Sequence, residues 1–411
     1  MFVKTVTLQN FRNYSKKEFK FTGLTTLVVG PNTSGKTNLL EAIYLLATGR
    51  SFRAEKEVEM IAYGQEVARV GVEVAADSPQ KVHFAASTNL EILLTTGLVG
   101  GRNVAKKKYL INGVSKRMID FVGNLRAVYF GPEDLELVTD SPSLRRKYLD
   151  MVLSQVDREY RRASLSYEKG LRQRNKILEE VQSSCLRRQA KFKVQNKEGE
   201  EGIKRRLFFW DQLLVKNGNY ISQKREEFID FVNREGKEGR ERKEGKFGWE
   251  YVKSVISPAA LAENFPKEVI LGQTLVGPHR DDIRFVARDT EHGTRNTEHG
   301  TQEKKRIELS SMSHVPCPML PRNLSIYGSR GEQRLAVLWL KIGELEFIAH
   351  KTEVRPLLLL DDIFSELDRE NIRLISQIGL IGKQQTIITT TDEEIVGEKE
   401  KMQIIRLKEG R

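Results

Sequence analysis

Cysteine is nearly absent: Cys185 and Cys317 are the only two in 411 residues, which excludes a disulfide framework and a thiolate metal site. Long apolar runs are missing as well. Nothing approaches the ~18 consecutive apolar residues of a membrane helix, and Met1-Phe2-Val3-Lys4-Thr5-Val6-Thr7 lacks a basic region followed by an apolar one. A cytoplasmic protein with no membrane partner is expected. Acidic residues are in deficit, 56 against 68 basic ones, for a net charge of +12. Such a surplus points to a polyanionic partner only where it is concentrated. From Ser141 to Ile270 there are 29 Lys and Arg against 20 Asp and Glu, which leaves about three of the excess for the rest of the chain.

Against those absences stands one strong motif. Gly30-Pro31-Asn32-Thr33-Ser34-Gly35-Lys36-Thr37 fits the phosphate-loop pattern, follows the apolar run Thr25–Val29 and precedes a helical pattern from Asn38 to Leu46. Gly30 and Gly35 let the backbone turn tightly so that successive N–H groups face phosphate oxygens, and the helix N-terminus adds its positive dipole end. Lys36 is expected to reach the β- and γ-phosphates, and the Thr37 hydroxyl to ligate Mg²⁺.

The N-terminal third reads as short strands around one helix, with β-like runs at Val3–Leu8, Thr25–Val29, Ala68–Val74, Lys81–Ala86, Leu90–Thr95 and Tyr109–Asn112. An antiparallel sheet beside a nucleotide core would fit them. Near Ser141 the texture changes to charged stretches with apolar residues at helical spacing, and Ile203 to Asn233 is expected to return antiparallel to the first of these helices. Lys197–Gly202 and Gly236–Lys246 read as exposed turns. The resulting division is 1–140, 141–270 and 271–411. Thr290-Glu291-His292-Gly293-Thr294 recurs as Thr297-Glu298-His299-Gly300-Thr301, which marks residues 288–322 as a surface insertion and not a metal site.

More than three hundred residues after the loop, Leu357 to Leu360 ends in Asp361-Asp362. A buried strand ending in carboxylates is how a Walker B element places one acid on Mg²⁺ and another near the attacking water. Upstream, Tyr327-Gly328-Ser329-Arg330-Gly331-Glu332 leads into a helical run. Serine at a helix N-terminus serves either as a cap or as a phosphate contact.

Together these elements resemble the ABC-type ATPase head in its SMC-like branch. Asn10-Phe11-Arg12-Asn13-Tyr14, the phosphate loop, Phe130-Gly131-Pro132-Glu133-Asp134-Leu135, Gly277-Pro278-His279-Arg280-Asp281-Asp282, Ser329 and Leu360–Asp368 occur in the order of the RecF family of DNA replication and repair proteins. The resemblance covers nearly the whole chain. It implies an α/β fold, a P-loop ATPase head split by a helical, short coiled-coil-like arm. It also implies a weak, DNA-stimulated ATPase that dimerises on ATP, binds double-stranded and gapped DNA, and works with RecO and RecR to load recombinase. By the same resemblance Asp361 would ligate Mg²⁺ and Asp362 would orient water. Arg12 and Asn13 would face the nucleotide, Glu133 would occupy the Q-loop region, Ser329 and Gly331 would contact the γ-phosphate in trans, and Ser365–Asp368 would form the D-loop. His279 and Arg280 belong to a family motif whose residues fit packing or coupling equally.

Some positions depart from the pattern. Arg330 and Glu332 stand where glutamine is more usual, placing a charge pair beside the expected trans contact, and Thr386–Asp392 offers threonines at the switch position where transporters have histidine. For DNA, Arg145, Arg146, Arg158, Arg161, Arg162, Arg187 and Arg188 are the candidate phosphate contacts. Two rivals fit less well, because a transporter ATPase subunit has a shorter insert and another SMC-like structural protein has a long heptad coiled coil.

Overall fold

The computed structural model describes residues 1–75, 87–187, 197–238, 247–287, 321–363, 383–391 and 402–408. The chain enters through β1 (Phe2–Phe11), β2 (Tyr14–Lys20) and β3 (Thr25–Val29), the last leading through the phosphate loop into α1 (Lys36–Thr48). Next come β4 (Val67–Ala75), β5 (Thr88–Thr95), a small hairpin of β6 (Leu98–Val99) and β7 (Arg102–Asn103), then β8 (Lys107–Ile111) and β9 (Val114–Lys116). Six of these form an antiparallel sheet in the order β2-β1-β4-β5-β8-β9. The expected run Lys81–Ala86 lies outside the described residues.

After α2 (Met118–Phe121), β10 (Ala127–Phe130) and α3 (Glu136–Thr139) come the arm helices α4 (Pro142–Val156), α5 (Arg158–Arg187) and α6 (Lys197–Glu238). Asp157 separates the first two and caps the second, its carboxylate accepting from the backbone N–H groups of Glu159 and Tyr160. Helices α5 and α6 run antiparallel: Arg206 meets Glu180, Asp211 meets Arg174, and Arg225 meets Tyr160. Lys197–Gly202 and Gly236 to Glu238, expected as turns, are instead the two ends of α6, where helix-favouring Lys and Glu outweigh the glycines.

The rest of the chain supplies β11 (Phe247–Val252), α7 (Pro258–Leu271), β12 (Asp282–Ala287), β13 (Arg322–Asn323), α8 (Leu324–Tyr327), α9 (Arg330–Thr352), β14 (Leu357–Asp361), β15 (Thr386–Thr390) and β16 (Gln403–Arg406). Arg322, expected at the end of the insertion, pairs with Ala287 in the sheet β11-β12-β13, so the described fold resumes before it. The tandem repeat, Arg188 and Ser365–Asp368 lie outside the described residues.

A five-stranded parallel sheet, ordered β10-β14-β15-β3-β16, divides the interior. Leu357 and Leu359 face a core built with α1 and the antiparallel sheet, whereas Leu358 and Leu360 face one built with the arm helices and α9. Burial on both faces is why this strand reads as unbroken leucine. The second core joins Tyr148, Tyr160 and Phe228 of the arm to Phe347 of α9, so the base of the arm is packed into the head. Among the described residues, a small cluster of Leu178, Leu207, Phe265 and Val269 stands apart.

The Gly277–Asp282 motif is the joint between arm and head. Asp281, fully buried, accepts from Arg225, Ser222 and Tyr251 and from the Ser254 backbone. His279 Nε2 faces the Thr274 carbonyl at 3.1 Å and so must donate, leaving Nδ1 to accept from the Tyr167 hydroxyl at 2.8 Å. Burial holds this imidazole neutral, with a pKa pushed down to about 4. Packing, of the two roles open to His279, accounts for its contacts.

Candidate functional site

Four segments meet at the carboxyl edge of the parallel sheet, where ligands of open α/β sheets bind. Strand β3 opens into residues 30–35, β10 into the turn Pro132–Leu135, β14 ends on Asp361 and β15 on Thr390. Asp361 stands opposite Thr389 in register, and Thr390 opposite Val29, so a single strand separates the acids from the phosphate loop.

The loop is a cradle with little room to spare. Gly35 has φ of 99°, and a Cβ there would lie 2.6 Å from the Tyr14 hydroxyl oxygen. Helix α1 begins with no side-chain cap and no acidic residue in its first turn, which leaves its first N–H groups and dipole end for an anion. Ser34 Oγ is buried with no hydrogen-bond partner among the described residues. These features fit a bound phosphate chain. Lys36 Nζ donates to the carbonyls of Gly30 at 2.7 Å and Pro31 at 3.1 Å. Burial lowers its pKa, while Asp362 and Asp361 pull it back up. Asn13 reaches the loop, its amide 3.4 Å from the Thr33 carbonyl and its carbonyl accepting from Asn38.

Arg12 is placed differently from its neighbour. Its guanidinium forms a two-point pair with the buried Glu41 of α1, at 2.8 and 2.7 Å, and donates to the Glu59 carbonyl. Of the two expected nucleotide-facing residues, only Asn13 touches the loop.

On the acid side, Thr389 Oγ1 donates to Asp361 at 2.5 Å, while the Asp362 backbone N–H donates to the Thr389 side chain and carbonyl. Asp362 has φ of 48°, a left-handed turn that redirects the chain after the strand ends. Glu133 is joined to the same group through Tyr129, whose hydroxyl lies 2.9 Å from Glu133 and 3.2 Å from Asp361. Burial raises the Glu133 carboxyl above its usual range. Thr37 and Asp361 offer the hard oxygen donors that Mg²⁺ takes, leaving its other positions to phosphate and water.

A second buried network ties this turn to α9. Asp134 caps the turn by accepting from the Gly131 N–H at 2.9 Å, and its other oxygen lies 2.9 Å from Lys341 of α9. Lys341 also faces Glu344 at 3.5 Å. Glu344, walled in beside Asp134 and Tyr148, is pushed up to about 7, by burial first and by the Asp134 charge after the opposing Lys341.

Ser329 and Gly331 are exposed at the start of α9. Ser329 is the N-cap: it accepts from the Glu332 N–H, and Glu332 reaches back to the Ser329 N–H at 3.0 Å. Of the two charges expected beside the trans contact, Glu332 is held by this box and by Arg322 at 2.8 Å, and Arg330 is exposed at the first position of the helix. Among the described residues no hydrogen bond or ion pair joins Ser329 or Gly331 to the phosphate loop of the same chain.

The basic residues divide into two groups. Arg145 and Arg161 are withdrawn as DNA contacts, because both are buried and bound internally: Arg145 to Asp282 at 2.6 Å, Arg161 to the carbonyls of Ile119 and Ser154. Arg146 donates to the Asp281 carbonyl. Arg158 and Arg162 remain exposed, with weak surface pairs to Asp120 and Glu159. The side chain of Arg187 and all of Arg188 lie outside the described residues.

Residues 2–411 match the model of the RecF/RecN/SMC N-terminal domain. The DNA replication and repair protein RecF of Ligilactobacillus salivarius is 31% identical, over 100% of this chain and 97% of that protein. Its counterpart in Chloroflexus aggregans is 34% identical over 95% and 94%. A solved structure of the recombination mediator protein RecF with ATP in the RecFOR pathway superposes with a TM-score of 0.75 and 26% identity, covering 100% of this chain and 96% of that one. A companion structure with the nucleotide named ATPrS gives 0.73, also at 26% identity, over 96% and 94%.

Proposed function

Because the chain belongs to the RecF/RecN/SMC N-terminal domain family, we propose that it is an ATP-operated DNA repair protein of the cytoplasm, a slow ATPase whose nucleotide closes two copies around DNA. The observation that carries this reading is the separation of Ser329 from the loop. One edge of the sheet holds Lys36, Thr37, Asp361, Asp362 and Glu133, while the exposed Ser329 and Gly331 have no bond to that edge among the described residues of their own chain. Two copies facing each other would complete two sites.

Lys36 would leave the Gly30 and Pro31 carbonyls for the β- and γ-phosphates, with loop N–H groups, Ser34 and Asn13 around them. Thr37 and Asp361 would hold Mg²⁺, which neutralises phosphate charge. Asp362 would orient the attacking water, Thr389 would fix Asp361, and Ser329 and Gly331 of the second copy would approach the γ-phosphate. Exposed arginines of the arm, Arg158 and Arg162 among them, would bind the DNA backbone without reading sequence. The relatives' names speak of DNA replication and repair and of a RecFOR pathway, which supports DNA as the target and RecO and RecR as partners; gapped and double-stranded DNA would be the forms bound.

Sedimentation with and without ATP and gapped DNA tests the reading. The wild type should dimerise with ATP, Lys36→Ala should neither bind ATP nor dimerise, and Ser329→Ala should bind ATP yet stay monomeric. ATP-driven dimerisation by Ser329→Ala would overturn the trans assignment.

A further inference from the structure

Glu41 is fully buried on α1, one helical turn beyond Thr37, and three hydrogen bonds occupy its carboxylate. Two come from the Arg12 guanidinium at 2.8 and 2.7 Å, and the third from the Ser51 hydroxyl at 2.6 Å. A charge so far from water needs such partners, and here each partner leads to a different half of the nucleotide edge.

The first path runs to the phosphate loop. Arg12 holds a left-handed conformation, φ of 53°, kept by its pair with Glu41 and by its own N–H donating to the Met60 carbonyl at 2.9 Å. The two residues that follow touch the loop: Asn13 lies 3.4 Å from the Thr33 carbonyl, and the Tyr14 hydroxyl donates to the Gly35 carbonyl at 3.0 Å. Anchoring Arg12 therefore sets how its neighbours meet the loop.

The second path runs to the acids. While donating to Glu41, Ser51 Oγ accepts from the N–H groups of Arg53 and Ala54 at 2.9 and 2.7 Å, which fixes the turn that carries Phe52. Phe52 stacks on Tyr129, and the Tyr129 hydroxyl reaches Glu133 and Asp361.

We propose that Glu41 is a positioning residue of the nucleotide site, one buried carboxylate that sets the phosphate loop through Arg12 and the metal-binding acid through Ser51 without touching nucleotide itself. This role rests on the reading of the sheet edge as an ATP site.

Calorimetric titration with a non-hydrolysable ATP analogue and Mg²⁺, beside steady-state hydrolysis and melting curves, tests it on the full chain. Glu41→Gln, which keeps the shape and loses the charge, should weaken binding at least fivefold and lower kcat at least tenfold. Arg12→Gln should chiefly weaken binding and Ser51→Ala chiefly lower kcat, a split that lost packing alone would not produce. Adding Glu41→Gln to Ser51→Ala should lower kcat by less than threefold further, because the second path is already cut. Glu41→Gln matching the wild type in binding and kcat would overturn the proposal, as would multiplied effects in the double variant. Should Glu41→Gln melt early, the single variants decide, and equal effects of Arg12→Gln and Ser51→Ala on both quantities would overturn it. A wild type that binds no ATP would sink the nucleotide reading and this role together, a result distinct from an active wild type that Glu41→Gln matches.

Discussion

The Tyr129 hydroxyl lies 3.2 Å from a carboxylate oxygen of Asp361, although 232 residues separate the two in sequence. The same hydroxyl reaches Glu133, so one aromatic residue fixes both acids. Its ring stacks on Phe52 with centroids 3.8 Å apart, so Tyr129→Phe should keep the fold while freeing both carboxylates. The Mg²⁺ concentration for half-maximal ATP binding should rise, by ~10-fold if the hydroxyl acts as other supports of metal ligands do. Calorimetric titration of ATP at graded Mg²⁺ checks this, and an unchanged curve would assign Tyr129 to packing alone.

Asp362→Asn should hydrolyse ATP ~100-fold more slowly, the scale of losing a group that handles the water proton. ATP affinity should be kept, because Lys36 and the loop are untouched. Single-turnover hydrolysis alongside equilibrium binding separates the two effects. A native rate in the variant would refute the role given to that acid.

Glu344 gives stability a pH dependence with a definite sign. Its pKa in the fold is about 7, above the ordinary 4.5, so between these values the folded chain holds a proton that the unfolded chain has lost. The resulting stabilisation is complete below pH 4.5, shrinks as pH rises and is gone above about 7. Melting temperature should fall between pH 5 and pH 8 more steeply in the wild type than in Glu344→Gln, which keeps a neutral side chain throughout. Parallel slopes would place the carboxylate in a less confined setting than the one described.

Two arginines of the same helix should behave in opposite ways. Arg174 is 1% exposed and holds both the half-buried Asp211 and the buried Glu268 at 2.7 Å, so Arg174→Ala should cost ~3–5 kcal/mol by stranding the Glu268 carboxylate. Arg162, 67% exposed, should change stability by under ~1 kcal/mol when replaced by alanine. If Arg162 contacts a phosphate, its loss should lower the salt slope of DNA binding by about one. Denaturant melts and DNA titrations at several salt concentrations distinguish the cases, and an unaltered slope would remove Arg162 from the footprint.

Local patterns were legible where the chemistry is local. The phosphate loop, the leucine strand with its acids, and the Ser329 cap each occupy a few consecutive residues, and the structure places them as strand end, strand end and helix start. Register across the sheet was not legible, since nothing in Thr386–Thr390 marks Thr389 as the partner of Asp361 until β14 and β15 are aligned. Tyr129 was missed for a similar reason, because inside a strand of four buried residues it looks like core. Charge misled where burial decides. Arg145, Arg161 and Arg174 look in sequence like the exposed Arg158 and Arg162, and only their packing reveals internal ion pairs and hydrogen bonds. The glycines at the ends of α6 misled in the opposite direction, reading as turns where a long helix simply continued.

Strand β3 carries the phosphate loop and lies between β15 and β16, which follow it by more than three hundred residues. Translation therefore produces the loop early and its two flanking strands hundreds of residues later. A nascent polypeptide bears the nucleotide motif long before it can hold the loop in shape, and β3, with both edges unpaired, must wait for the closing segments. Competence to bind nucleotide is thus gained only once β15 and β16 have been made, so a nascent chain that stops short of them would have no assembled site with which to grip ATP or recruit a second copy.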